Sequence, residues 1–245
     1  MADQDRVQVW LIRTDPPDPV LADLAVLLDE AERERARTLA HPVSRRRFIA
    51  AHGAVRLVLG DCLGAPPASL RWRYGPHGKP GIAGTGVQVS LSHSGDLAAL
   101  AIADRRRVGI DVQRVLTGLA ATTMAARYYP PAEARFVMAA GGRTAQADCF
   151  TRLWARKEAC LKVTGGRLLP GLAQSVMDTG LAGGYQAATA LIRELPVPPG
   201  YRAAVAAEGT ARYRITRRWW AADLPDWRGN EEIQHSLNDA INRLA

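Results

Sequence analysis

Residues 153–162 read LWARKEACLK, and they constrain this chain more than any other stretch. On a helix, Trp154, Lys157, Glu158, Leu161 and Lys162 recur at i, i+3, i+4, i+7 and i+8, which makes one stripe. Phe150 and Leu153 extend the stripe backwards, so it reads as the inward side. Burying a carboxylate or an ammonium there without a partner is costly. An i, i+4 pair of Glu158 with Lys162 suits an exposed helix, but Trp154 and Leu161 ask for burial. A divalent cation for Glu158 and a phosphate for the lysines answer the conflict better.

A second stretch supplies the missing oxygens. In VGIDVQ (108–113), strand alternation sends Val108, Ile110 and Val112 to one side and Gly109, Asp111 and Gln113 to the other. Asp111 and Gln113 are then close enough to share an ion, and Gly109 leaves room for something bulky; alone, Asp111 could equally start a turn. Mg²⁺ takes a few protein oxygens together with waters and substrate phosphates, and Asp111, Gln113 and Glu158 are the candidate ligands. In SLSHSGD (90–96), Ser92 and His93 offer hydroxyl, imidazole and backbone N–H groups that suit a phosphate oxygen. A Ser-His nucleophilic pair is disfavoured, because neighbours on a strand point to opposite sides and no GxSxG elbow occurs. Lys79 and Pro80 of a GKP loop, and Arg47 of RRRFIAAHGAVR, add weaker phosphate-contacting candidates.

The pattern along the chain predicts α+β, with mixed strands and helices rather than regular alternation. Strands are expected at 7–13, near 72, over 87–93 and 97–103 as a pair, over 108–113, at 201–208 and near 212–220. Helices are expected over 19–40, over 44–63 with Ser44 as N-cap, over 117–140 broken at Pro130-Pro131, and from about Asp148 to Gly165-Gly166. The stretch EEIQHSLNDAINRLA places Ile233, Leu237, Ile241 and Leu244 on one helical side. Three cysteines without a CxxC pair argue against a disulfide framework or a zinc site and suggest buried free thiols. No run of apolar residues is long enough to span a membrane, and the N-terminus lacks a signal layout; a cytoplasmic protein is the simplest expectation.

Together these stretches resemble the 4′-phosphopantetheinyl transferase family, in the larger, pseudo-dimeric type that includes the surfactin-synthetase activator. The resemblance rests on Gly109-Ile110-Asp111-Val112-Gln113 and, about forty residues on, Trp154-Ala155-Arg156-Lys157-Glu158-Ala159-Cys160-Leu161-Lys162. Arg47 with Arg56, the GKP loop and the Ser-His pair follow the family order. The resemblance implies two similar α+β halves, 1–106 and 107–215, with coenzyme A between them, and a C-terminal extension over 216–245, expected to be helical. It implies transfer of the phosphopantetheine arm of coenzyme A to a serine of an acyl or peptidyl carrier protein, releasing adenosine 3′,5′-bisphosphate. Asp111 and Glu158 would hold Mg²⁺ (or Mn²⁺ in its place), with Glu158 as base for the serine. Lys162 and Lys157 would meet the phosphates, as would Lys79, Ser92, His93 and Arg47, the last two near the 3′-phosphate. Glu133 matches a supporting acidic position. Gln113 stands where many relatives have glutamate, which predicts weaker metal binding.

Two other readings compete. One is a homologue that binds coenzyme A without transferring its arm, favoured only by Gln113. The other is a nucleic-acid-binding protein, suggested by a net charge of +8 and by Arg-rich runs. Sparse aromatics and the lack of a recognised motif disfavour it, and a basic surface suits acidic carrier proteins equally well. A pseudo-dimer holds both halves of its site, so a monomer is expected.

Overall fold

The structure is a computed structural model and describes residues 5–75, 77–166, 171–177, 181–182 and 189–220. Its elements, in chain order, are β1 (Arg6–Arg13), α1 (Asp18–Val26), α2 (Glu30–Thr38), α3 (Pro42–Leu63), β2 (Trp72–Tyr74), β3 (Pro80–Ile82), β4 (Gln88–Ser94) and β5 (Leu97–Ala103). After them come β6 (Val108–Arg114), α4 (Ala121–Tyr128), α5 (Pro131–Met138), α6 (Gly142–Thr164), β7 (Leu181–Ala182), β8 (Ala190–Leu195), β9 (Tyr201–Glu208) and β10 (Arg214–Trp220). One sheet has the order β10-β1-β5-β4-β3-β2, the other β6-β9-β8-β7. The class is α+β, as the mixed pattern predicts.

By contact the described chain separates into two compact units. The first comprises residues 5–9, 73–95 and 99–217 and contains the second sheet with α4, α5 and α6. In that sheet β6 pairs antiparallel with β9, from Val108 opposite Ala207 to Arg114 opposite Tyr201, and β9 pairs antiparallel with β8. Ala155, Ala159 and Val163 of α6 join Ile192, Ala204 and Ala206 in the core, with Phe150 stacked on Tyr129 at 5.0 Å between ring centroids. Small residues on both surfaces let the helix settle close to the sheet.

The closest approach is at Gly109. A Cβ there would lie 2.0 Å from the Ala159 carbonyl oxygen and 2.7 Å from the Val163 nitrogen, far inside van der Waals contact. The space beside Gly109, expected to admit something bulky, admits helix α6 itself. This places α6 across β6 with a definite residue, 159–163, over the middle of the Gly-Ile-Asp sequence.

The other unit contains residues 10–72 and 96–98 with α1, α2 and α3. The helical stretch expected over 19–40 is two helices, because Asp29 starts a new one: its carboxylate accepts from the Glu32 N–H and Glu32 accepts from the Asp29 N–H, a reciprocal cap. Glu32, set in the charged run AERERARTLA, is only 4 % exposed. Its carboxylate accepts from Arg56, from the Trp72 indole at 2.8 Å and pairs with His52 at 2.9 Å. Burial alone would raise the Glu32 carboxyl; His52 and Arg56 outweigh it and hold it at about 2. Arg56, wholly buried, also donates to the carbonyls of Pro67 and Leu70, so it ties three segments of this unit together.

Other boundaries shift for identifiable reasons. Helix α3 starts at Pro42, whose missing N–H and fixed φ suit a first turn, with His41 rather than Ser44 as N-cap. Helix α6 starts at Gly142, two turns before Asp148, since nothing in RTAQA interrupts a helix. It ends as expected, with Gly165 in the left-handed region at φ 75°. Of the three thiols only Cys149 and Cys160 are partly buried; Cys62 is exposed on the last turn of α3, and none forms a disulfide. The predicted helix beyond Trp220 lies outside the described residues.

Gly109→Ala should push α6 off β6 and destabilise the fold by about 3 kcal/mol or more. Gly118→Ala, at a position with nothing within 4 Å of the added methyl, should stay within about 0.5 kcal/mol. Urea denaturation midpoints of the two variants check the contrast.

Candidate functional site

The first unit encloses a cavity of about 280 Å³ between the 77–80 loop, β4 and the last turns of α6. Its lining includes His77, Lys79, Pro80, Ser90, Glu158, Lys162 and the glycines Gly165 and Gly166. Thus Lys79, Pro80, Glu158 and Lys162, singled out in two separate sequence stretches, face one space. Ser90, His77 and the glycine pair were not anticipated. The alternation of serines at 90, 92 and 94 was the available signal for Ser90.

Behind the cavity lies Asp111, 1 % exposed. Its Oδ1 accepts from the Ser92 hydroxyl at 2.7 Å and from the Lys162 ammonium at 2.6 Å. Its Oδ2 is buried and has no hydrogen-bond partner. Burial raises the Asp111 carboxyl above its usual range, while the charge and hydrogen bond of Lys162 and contributions from Ser92 and Gln113 pull it back. Glu158 is raised as well, first by burial and then by the nearby Asp111 carboxylate, with Lys162 opposing. Two neighbouring carboxylates, both raised by burial and one with an orphaned oxygen, form a place that an added positive charge would suit.

That donor set fits a hard divalent cation. Among the described residues no group of three or more His, Cys, Asp or Glu side chains could hold a metal, so the protein offers two carboxylates and the half-buried Gln113 amide nearby. Few protein ligands, with room for waters and phosphate oxygens, are what Mg²⁺ accepts.

The serines of β4 hold Asp111 where it is. Strand β6 lies at the edge of its sheet, and its outer N–H groups need partners. Ser90 Oγ accepts from the Ile110 N–H at 3.1 Å and Ser94 Oγ accepts from the Arg114 N–H at 3.0 Å. Ser92, between them, donates to Asp111 instead. Ser92 is buried and His93 is exposed, so the adjacent pair faces opposite ways, as strand geometry requires.

Lys79 does not hang free from its loop. Its ammonium donates to the Val108 carbonyl at 2.6 Å and to the Lys162 carbonyl at 2.5 Å, so it fastens the start of β6 to the last turn of α6. Burial, reinforced by the charges of Arg107 and Lys162, brings Lys79 down to about 8.

Lys157 departs from the expected phosphate contact. It is 1 % exposed and pairs with Glu133 Oε2 at 2.5 Å; it also donates to the Gln174 carbonyl and lies 4.8 Å from the Tyr129 ring centroid. Successive helical residues turn by about 100°, so Lys157 and Lys162 point about 140° apart. The inward stripe is wide enough for its two edges to meet different surroundings: Lys157 enters the core beside α5, and Glu158 and Lys162 enter the cavity. Glu133 Oε1 accepts from the Val176 N–H at 2.6 Å, so the pair also anchors the chain after α6. Arg47 belongs to the other unit, where its guanidinium pairs with Asp96 at 2.5 Å.

With this geometry in hand, comparison with known proteins gives one answer. A model of the 4′-phosphopantetheinyl transferase superfamily matches residues 107–216. Over 165 residues the chain is 36 % identical to the 4′-phosphopantetheinyl transferase HetI of Nostoc sp., covering 66 % of this chain and 69 % of that protein. A putative 4′-phosphopantetheinyl transferase of Synechocystis sp. is 30 % identical over 178 residues, covering 71 % of each chain. The AcpT protein of Salmonella typhi, also a 4′-phosphopantetheinyl transferase, is 35 % identical over 114 residues, which is 46 % of this chain and 57 % of that one. The chain belongs to the 4′-phosphopantetheinyl transferase superfamily.

The Lys79 ammonium should lose its proton as pH rises through about 8 and with it its attraction for anions. Calorimetry with inorganic pyrophosphate should show affinity falling several-fold between about pH 7 and about pH 9, while Lys79→Arg, which stays charged, should lack this fall.

Proposed function

We propose that the protein transfers the 4′-phosphopantetheine arm of coenzyme A to a serine of an apo acyl or peptidyl carrier protein, with Mg²⁺, and releases adenosine 3′,5′-bisphosphate. The observation that carries this is that Lys162, which lines the cavity beside Glu158, also pairs with the buried Asp111, so a strand and a helix far apart in sequence join their charges. Membership of the family supports the reaction class.

In this reading Asp111 Oδ2 and Glu158 hold the metal, with Gln113 as a neutral third donor, directly or through a water. Bound Mg²⁺ would neutralise charge on the pyrophosphate and fix its orientation. Lys162, whose ammonium already reaches the carboxylate cluster, stabilises charge gathering on the bridging oxygen as its bond to phosphorus breaks. Lys79, with Pro80 and the β4 end carrying His93, lines the path of the nucleotide phosphates. The carrier serine hydroxyl attacks the phosphorus next to the pantetheine, the linkage to the nucleotide side breaks, and the serine proton goes to Glu158 or to a water it holds. A carboxyl raised by burial is a better base than an exposed one.

The proposal includes two similar halves, 1–106 and 107–215, a division supported by the family model's match starting at 107. It also includes a single-chain enzyme working in the cytoplasm on an acidic protein partner, supported by the basic surplus. No described helix is long and apolar enough to cross a membrane.

Incubation with coenzyme A, Mg²⁺ and a panel of apo carrier proteins should add the phosphopantetheine mass to at least one carrier, read by mass spectrometry, and Glu158→Ala should abolish the gain. Absence of any gain across the panel, with coenzyme A still bound, would instead indicate a binding homologue. A Gln113→Glu variant should reach half its maximal rate at several-fold lower Mg²⁺, because a charged ligand replaces a neutral one; an unshifted Mg²⁺ titration removes Gln113 from the ligand set.

A further inference from the structure

We propose that Ser92 is a positioning residue for Asp111, not a phosphate ligand. This rests on the reading of Asp111 as a metal ligand given above. A buried carboxylate has two oxygens, and a metal site needs one of them presented in a constant direction. Here the choice is made by two donors on the same atom: the Ser92 hydroxyl at 2.7 Å and the Lys162 ammonium at 2.6 Å both address Oδ1. Oδ2 is left buried and unpartnered. Lys162 is a long, partly exposed side chain that has other work at the phosphates, whereas Ser92 is short and 6 % exposed. When Lys162 moves to a ligand, Ser92 is the donor that stays.

The flanking serines explain why Ser92 can be relied upon. Ser90 and Ser94 accept from backbone N–H groups of β6 on either side of Asp111, which locks the register of β4 against β6. The middle serine is thus held opposite residue 111 with its hydroxyl free to donate. The three serines share a face of one strand and divide the labour: the outer pair fix the backbone, the inner one fixes a carboxylate. A Ser92 hydroxyl committed in this way has its proton engaged with Asp111, so it does not offer that proton to a phosphate. Outer-sphere hydrogen bonds of this kind set ligand direction and tune metal affinity.

The test measures metal binding apart from transfer. Free Mn²⁺ is followed by electron paramagnetic resonance with the full-length protein and saturating coenzyme A; coenzyme A affinity is measured separately in EDTA. Ser92→Ala should weaken Mn²⁺ binding by about tenfold and leave metal-free coenzyme A affinity unchanged. Ser92→Thr, which keeps the hydroxyl, should restore Mn²⁺ binding. Ser94→Ala should lower thermal stability without weakening Mn²⁺ binding, which separates register from carboxylate positioning. Unchanged Mn²⁺ affinity in Ser92→Ala, with coenzyme A affinity lost in EDTA, overturns the proposal and makes the hydroxyl a nucleotide contact. A threonine variant no better than alanine overturns it too. If the parent protein binds no Mn²⁺, or binds it equally well as Asp111→Asn, the metal reading itself fails and the proposal falls with it.

Discussion

The contact of helix α6 with strand β6 at Gly109 sets the rest of this site. With no side chain at 109, the backbone of the helix at Ala159 to Val163 comes down onto the strand. That approach is what carries Glu158 and Lys162 to the edge of the sheet where Asp111 waits. It also puts the end of α6 within reach of Lys79, whose two carbonyl bonds join helix and strand at their shared end. A larger residue at 109 would not merely crowd a core; it would separate the two halves of the charged cluster.

Around that contact, charges are buried only in company. Lys157 has Glu133 inside the core. Lys162 has Asp111 at the cavity. Arg56 in the other unit has Glu32 and Asp29. In the first and third every carboxylate faces a cation, and backbone carbonyls or N–H groups take further hydrogen bonds. In the second, Asp111 Oδ2 has neither a cation nor a hydrogen-bond partner, and Glu158 adds a further negative charge nearby. Structural ion pairs and the candidate site therefore use the same residue types but differ in whether the account is closed.

How much of this could be read from the residues alone depended on whether partners lay within one element. Periodicity in LWARKEACLK and alternation in VGIDVQ were enough to bring out Glu158, Lys162 and Asp111, because each stretch carries its own geometry. The α+β class and most strands, β9 among them, followed from local pattern. Lys157 was misjudged because a helical stripe about 140° wide has two edges, and only the position of α5 decides which edge is core. Glu32 was hidden in a run of charges for the same reason: its partners, His52, Arg56 and Trp72, come from elsewhere. The open side of Gly109 was visible, but not that a helix would fill it. Where α2 begins turned on a reciprocal cap between Asp29 and Glu32, a signal present in the sequence but masked by continuous helical propensity on both sides.

The Glu133–Lys157 pair has a consequence for how this chain can change over time. Losing either partner leaves a bare charge where water cannot reach it, a penalty of about 3–5 kcal/mol and much of the stability a domain has to spare. Replacing both together by apolar residues of similar volume removes the charge problem altogether. The two positions, on different helices, are therefore inherited as one character: drift at 133 is closed unless 157 drifts with it.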